Sequence, residues 1–354
     1  MKKSNSLLVL LLLLSTLALK GLAKAEEAHD IASQIAALEV KQLSAVLVIQ
    51  DNEMLHEQYF NGANASTLHN IRSASKTFTG LMFGVAVEDG LFTSVNDKVL
   101  PIFEEFQQPM YPSAQKSQMT FFDLLTMTNP LECDDMNSFS AGHEEKMYLT
   151  YDWVAFFLNL PARGNPPWEK PMAQQEYGRD FSYCTAGISI TAAAMEQLSG
   201  IRFSDYTQAK LFDALAIKNV NWPYNEMGIT QGGGGVEIAA KDLLKVGQLV
   251  LQQGVWQGEQ LIPKDWIEKS LLSYSVAMPE MEATYGITWW HFPYQLGDKK
   301  IITHAAAGNG GNYLFVIPEL NASVVILATA YNTPYMHKQS QKILSSIILP
   351  ALKR

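Results

Sequence analysis

Apolar and polar positions along this chain change period several times, and each change marks an element. Residues 26–42 carry Ile31, Ile35 and Leu38 at helical spacing. Residues 44–50 and 54–60 read as two strands around Asp51-Asn52-Glu53, which predicts a hairpin. Residues 75–87 turn helical again through Phe78, Leu81, Met82 and Val85, and Asp89-Gly90 supplies a stop. A short helix is expected over 121–127, a longer one over 186–198 ending at Gly200, and another over 241–252. Between 128 and 180, Pro, Asn, Gly and Asp break every period, giving a long irregular region of the kind that usually carries function. Strands are expected at 286–292, 300–303, 313–317 and 323–328. A last helix over 335–353 puts Ile343, Leu344, Ile347 and Ile348 on one face. No internal repeat is visible. This order predicts one antiparallel sheet built from both chain ends with a helical insertion, an α+β fold.

Composition narrows the class. The 354 residues are 47% hydrophobic and 17% charged, enough apolar material for a large core. A formal charge of −9 argues against nucleic acid or anionic lipid as a partner. Lys2 and Lys3 precede an apolar run from Leu7 to Leu19, broken only by Ser15 and Thr16, that ends at Ala23-Lys24-Ala25. The run is too short to span a bilayer comfortably, and the small-x-small ending is what signal peptidase reads. We therefore expect a signal peptide over 1–25 and a periplasmic or secreted chain over 26–354, with no membrane span in the mature part. The seven histidines are scattered without metal-ligand spacing, and no nucleotide fingerprint follows a strand, so no metal or organic cofactor is expected. Gly232–Gly235 lacks the Gly-Lys-Ser/Thr ending of a phosphate loop and reads as a tight turn.

Candidate chemistry starts at Ser73-Ala74-Ser75-Lys76, at the head of the helix predicted over 75–87. Positions three apart share a helical face, so Ser73 and Lys76 can touch. A serine hydroxyl needs a base, and a lysine can serve once burial lowers its pKa toward neutrality. On its own this spacing also fits two capping serines and a surface lysine. A second phrase, Phe181-Ser182-Tyr183-Cys184-Thr185, places a tyrosine just before a helix. A third, Ala306-Ala307-Gly308-Asn309-Gly310-Gly311, stands immediately before a strand.

In that order the three phrases resemble the serine β-lactamase and penicillin-binding-protein superfamily. The likeness is greatest to the branch of class C β-lactamases, family VIII esterases and 6-aminohexanoate-dimer hydrolases. Supporting phrases are His69-Asn70-Ile71-Arg72-Ser73-Ala74-Ser75-Lys76-Thr77, Val95-Asn96-Asp97-Lys98-Val99, Phe122-Asp123-Leu124-Leu125-Thr126-Met127-Thr128, Gly232-Gly233-Gly234-Gly235 followed by Ala240-Lys241-Asp242-Leu243, and Phe315-Val316-Ile317-Pro318-Glu319. The resemblance covers essentially the whole chain after the leader. It implies a β-lactamase/transpeptidase-like fold, an antiparallel sheet flanked by helices plus an all-helical subdomain, with the active site in the cleft between them. The α/β part would come from about 26–90 and 270–354, and the helical part from about 91–269.

The resemblance also implies roles. Ser73 would be the acylated nucleophile, Lys76 its activating partner, and Tyr183 the proton-transfer phenol, with a pKa lowered by the lysine ammonium. Thr185 stands where relatives carry the Asn of Tyr-x-Asn, a shorter reach for orienting substrate. Counting back from Pro318 along the strand favours Ala306-Ala307-Gly308 as the third motif, with His304-Ala305-Ala306 the alternative; in both, the lysine of Lys-Thr-Gly is absent. His304, Ala307 and Gly308 are thus candidate substrate-binding positions. The backbone N–H groups of Ser73 and Asn309 would form the oxyanion hole. Without a cation to pair with a β-lactam carboxylate, a small neutral ester or amide is the expected substrate. A β-lactamase, a D-Ala-D-Ala peptidase and a non-catalytic binding protein on the same fold are the competing readings. Asp134 and Asp135 read as a cleft rim or a solvated loop, and Trp153, Trp168, Trp289 and Trp290 as pocket walls or core. Cys133 and Cys184, the only cysteines, are a candidate disulfide near the cleft in an oxidising compartment, or else two buried thiols.

Overall fold

The computed structural model describes residues 31–106, 108–164 and 180–352. The expected leader, His29 and Trp168 lie outside them.

Eight strands form one antiparallel sheet. Their order is Glu53–Tyr59, Leu43–Gln50, Ala322–Ala328, Asn312–Ile317, Lys299–Gly308, Trp290–Leu296, Ala283–Tyr285, Ser275–Met278. The first two make the expected hairpin, with Asp51 and Asn52 both at positive φ (52° and 62°), the geometry that matches strand twist in a two-residue turn. Pairing of Leu43–Gln50 with Ala322–Ala328 (Val46 opposite Ile326) then closes the sheet across the chain ends. Both strands are buried along their whole length, because helices cover the two faces.

The helix Lys76–Glu88 is buried from Lys76 to Ala86, which explains why its sequence lacks a polar stripe. It packs against the helices Thr185–Ser199 and Lys264–Ser270. Trp266 replaces a solvent partner by donating its indole N–H to the Gly80 carbonyl at 2.9 Å. Thr185–Ser199 ends at Gly200, whose φ of 74° is the left-handed cap that glycine accepts without strain. The helix Ala240–Leu251 falls within the stretch assigned by sequence to the helical part, yet it lies on the sheet, with Gly247 against Ser323 and Leu314.

Other boundaries also moved. The strand expected at 286–292 runs over Trp290–Leu296, because Gly286 sits tight against the Ser270 and Leu272 carbonyls in a loop. The strand expected at 300–303 continues to Gly308 through alanines that carry no strand signal. The outer strands Ser275–Met278 and Ala283–Tyr285 were not anticipated. The closing helix runs Met336–Ile343, passes through a wide turn at Leu344–Ile348 and finishes at Leu349–Ala351, with the four expected apolar residues buried. No described helix is long and apolar enough to cross a membrane.

Candidate active site

A tight turn, Arg72–Ser75, leads into the helix Lys76–Glu88. Arg72 holds a φ of 52°, a left-handed conformation that costs a non-glycine residue roughly 1–2 kcal/mol. Its surroundings impose that shape. The Asn70 side chain accepts the Arg72 N–H at 3.1 Å, and the guanidinium lies over the Tyr331 ring, 4.6 Å from its centre. The turn separates the two serines. Ser75 is fully buried, donates to the Arg72 carbonyl at 2.6 Å and accepts the Val236 N–H at 3.2 Å. Ser73 is half-buried and lines a cavity of about 330 Å³.

Lys76 has 1% exposure. Its ammonium reaches Ser73 Oγ at 2.9 Å and the Gly233 carbonyl at 2.6 Å. Burial lowers its pKa from 10.5 to about 8, while Glu144 and Asp135 pull the other way. The glycine run is therefore more than a turn. Gly233 sits so close to Thr185 and Ser189 that a side chain would collide, and the closeness brings its carbonyl within reach of Lys76. Gly232 supplies the neighbouring carbonyl to the Thr79 hydroxyl at 2.7 Å.

Tyr183 joins the pair from a different segment. Its ring lies 5.5 Å from that of Trp290, and the Lys76 ammonium lies 4.8 Å from its ring centre. The expected lowering of its pKa is not found. Burial raises it well above the usual value, Ser73 and Trp290 lower it only in part, and the charges of Glu144 and Asp135 add to the rise, so Tyr183 is a neutral phenol. Cys133 and Cys184 are disulfide-bonded, with Cα atoms 5.4 Å apart. The bond ties the start of the irregular region to the residue after Tyr183. Thr185, by contrast, is fully buried beneath Gly233 at the helix start and does not line the cavity.

The strand Lys299–Gly308 passes beside the serine turn. Gly308 abuts it so closely that a Cβ there would overlap the Ile71 carbonyl oxygen. This close approach places Ala306-Ala307-Gly308, not His304-Ala305-Ala306, at the site. His304 stands four residues back, roughly 13 Å along the strand, and packs on His291 with ring centres 4.7 Å apart. Ala307 pairs with Tyr313. Asn309 follows at the cavity edge, its side chain exchanging hydrogen bonds with Asn332 at 2.7 and 2.9 Å.

The opposite wall comes from the irregular region and the glycine turn. Glu144, Tyr148 and Gln231 form a chain there. Tyr148 donates to Glu144 at 3.2 Å and accepts from Gln231 at 3.3 Å. Sequence reasoning missed all three, because none sits in a motif and only folding brings them to Ser73, and it read the Gly232–Gly235 run as a turn without its contact to Lys76. Trp153 lines the cavity and Trp290 touches Tyr183, whereas Trp289 is core. Among the described residues, no group of three or more His, Cys, Asp or Glu could hold a metal.

The family profile described as Beta-lactamase matches residues 36–346. A 6-aminohexanoate-dimer hydrolase of Paenarthrobacter ureafaciens is 23% identical over 312 residues, 82% of this chain and 74% of that protein. Two solved structures share the fold. One, a hydrolase with promiscuous acyltransferase activity, has a TM-score of 0.70 at 14% identity over 92% of this chain and 100% of that one. The other, a class C beta-lactamase from Rhodobacter sphaeroides, has a TM-score of 0.59 at 16% identity over 92% and 99%.

Proposed function

The chain belongs to the beta-lactamase family, and from that premise we propose that it is an exported serine hydrolase cleaving an ester or amide through an acyl-enzyme on Ser73. The observation that carries the proposal is the buried Lys76 amine 2.9 Å from a half-exposed Ser73 hydroxyl. With a pKa near 8, part of the Lys76 population is neutral at mildly alkaline pH. A neutral amine donates to the Gly233 carbonyl and takes the Ser73 proton with its lone pair. Ser73 Oγ then bonds to the substrate carbonyl carbon, and the Ser73 and Asn309 N–H groups meet the charge on oxygen. When the intermediate collapses, the leaving group takes the Tyr183 phenolic proton while Lys76 returns its proton to Tyr183. Water resolves the acyl-enzyme by the same path in reverse.

The cleft supports a neutral substrate. Ala306 and Ala307 offer no cation, and Glu144 and Glu145 stand on the facing wall. Arg72, the basic side chain among the described lining residues, is engaged by Tyr331. Export is supported by the leader pattern and by the Cys133–Cys184 bond, which persists in oxidising compartments.

The test is a fluorophosphonate label followed by p-nitrophenyl esters of graded chain length, alongside amides and D-amino peptides. Labelling of Ser73 with ester or amide turnover is the expected result. Absence of labelling in the intact protein would remove the hydrolase reading, and fast nitrocefin turnover would replace it with a β-lactamase.

A further inference from the structure

Asp135 is not part of the cavity wall, yet its bonds bracket Cys184, the residue that follows Tyr183. Its N–H donates to the Tyr183 carbonyl at 2.8 Å. One carboxylate oxygen accepts the Thr185 N–H at 2.6 Å, so Asp135 grips the chain on both sides of Cys184, directly after the Tyr183 side chain. The other oxygen accepts the Glu144 N–H at 2.8 Å and starts the short helix Glu144–Met147 that carries the acidic wall. One side chain thus spans the two segments that meet over Lys76, two residues from the disulfide at Cys133.

We infer that Asp135 is a positioning residue for the hydrolytic site, clamping Tyr183 and Glu144 in register with Ser73 and Lys76 and holding a negative charge behind the Lys76 amine. The inference rests on the hydrolase reading above. It fits the departure at Thr185. Where relatives carry an amide side chain, this chain has a short hydroxyl, and the Thr185 backbone is held by a carboxylate from the irregular region. The charged and titratable groups around Asp135 are Glu144 and Tyr148 on the wall, Tyr183 beside it and Lys76 on the central helix, and burial keeps both tyrosines neutral. Burial and Glu144 raise the Asp135 pKa to about 6, against Lys76, so the carboxylate is charged wherever Lys76 begins to lose its proton. A negative charge there keeps Lys76 protonated to higher pH than burial alone would allow.

The experiment compares wild type, Asp135→Asn, Asp135→Glu and Glu144→Gln in fluorophosphonate labelling rate, p-nitrophenyl ester kinetics and thermal melting, across pH. Displacing the reacting groups by an ångström costs about 10²-fold. For Asp135→Asn we expect a 10- to 100-fold slower labelling rate and kcat. KM should change little, because Asp135 does not line the cavity. The acidic limb of the rate profile should move to lower pH, since removing the charge lets Lys76 deprotonate earlier. Asp135→Glu should recover part of the rate. If Asp135→Asn fails to fold, Glu144→Gln keeps the clamp and must still shift the limb in the same direction. An Asp135→Asn protein with lowered melting temperature but unchanged labelling rate and limb would overturn the inference. So would an unshifted limb in Glu144→Gln. Wild type that resists the label altogether would instead sink the hydrolase reading, and this one with it.

Discussion

Lys76→Met should abolish activity and yet relieve a strain on the fold. The wild-type amine is buried, with a pKa of about 8 in place of 10.5. Each pKa unit is worth 1.36 kcal/mol, so holding the protonated form in the core costs roughly 3 kcal/mol. The cost is fully present below pH 8, where folded and unfolded states both carry the proton. It fades as pH rises from 8 toward 10.5, because the folded state then sheds its proton before the unfolded state does. Met removes this pH dependence but leaves the Gly233 carbonyl without a partner, a loss of about 1–3 kcal/mol that does not change with pH. Near pH 7 the two terms nearly cancel or favour the variant. Between pH 7 and 9.5, wild type should gain about 2 kcal/mol on the variant. Urea unfolding of both proteins at pH 7, 8 and 9.5 measures that difference directly, and shared titrations drop out of it. A constant difference across this range would show that Lys76 keeps its ordinary pKa, and the argument for it as a base would fall.

Ser73→Ala should lose turnover and labelling by several orders of magnitude with the fold intact, whereas Ser75→Ala should keep the label and lose about 1–3 kcal/mol from its two buried hydrogen bonds; labelled Ser73→Ala would move the nucleophile. Lys76→Ala and Tyr183→Phe should each slow acylation by at least about 10²-fold, and the double variant should be little worse than the worse single, since they share one proton path; multiplicative losses in single-turnover kinetics would contradict it. Reduction of Cys133–Cys184 should cost roughly 3–4 kcal/mol and slow labelling by loosening Tyr183, and iodoacetamide-reactive thiols in denatured, unreduced protein would refute the bond.

Local chemistry made the central parts legible. Ser73 and Lys76 are three apart on one helical turn, so their contact follows from helix geometry alone. The hairpin at Asp51-Asn52 and the stop at Gly200 were also readable, because each needs a backbone conformation that few residues accept. The apolar strands at both chain ends signalled one shared sheet, since neither end could bury its strands alone.

Everything that sets the protonation of that serine and lysine came from elsewhere in the chain. The sequence suggested that a lysine ammonium would lower the Tyr183 pKa, but burial dominates and raises it, and burial is a property of the packed molecule. Alanines in the strand Lys299–Gly308 left the third motif open between two registers. Counting back from Pro318 favoured Ala306-Ala307-Gly308, and the close approach of Gly308 to Ile71 puts that register beside Ser73. Asp135 looked like one of two loop carboxylates, and Gly233 like a turn glycine. Their roles depend on hydrogen bonds to Tyr183, Thr185, Glu144 and Lys76, partners up to 157 positions away. No local pattern encodes such pairings, because the chain between them is free to vary while the contact is fixed by the fold.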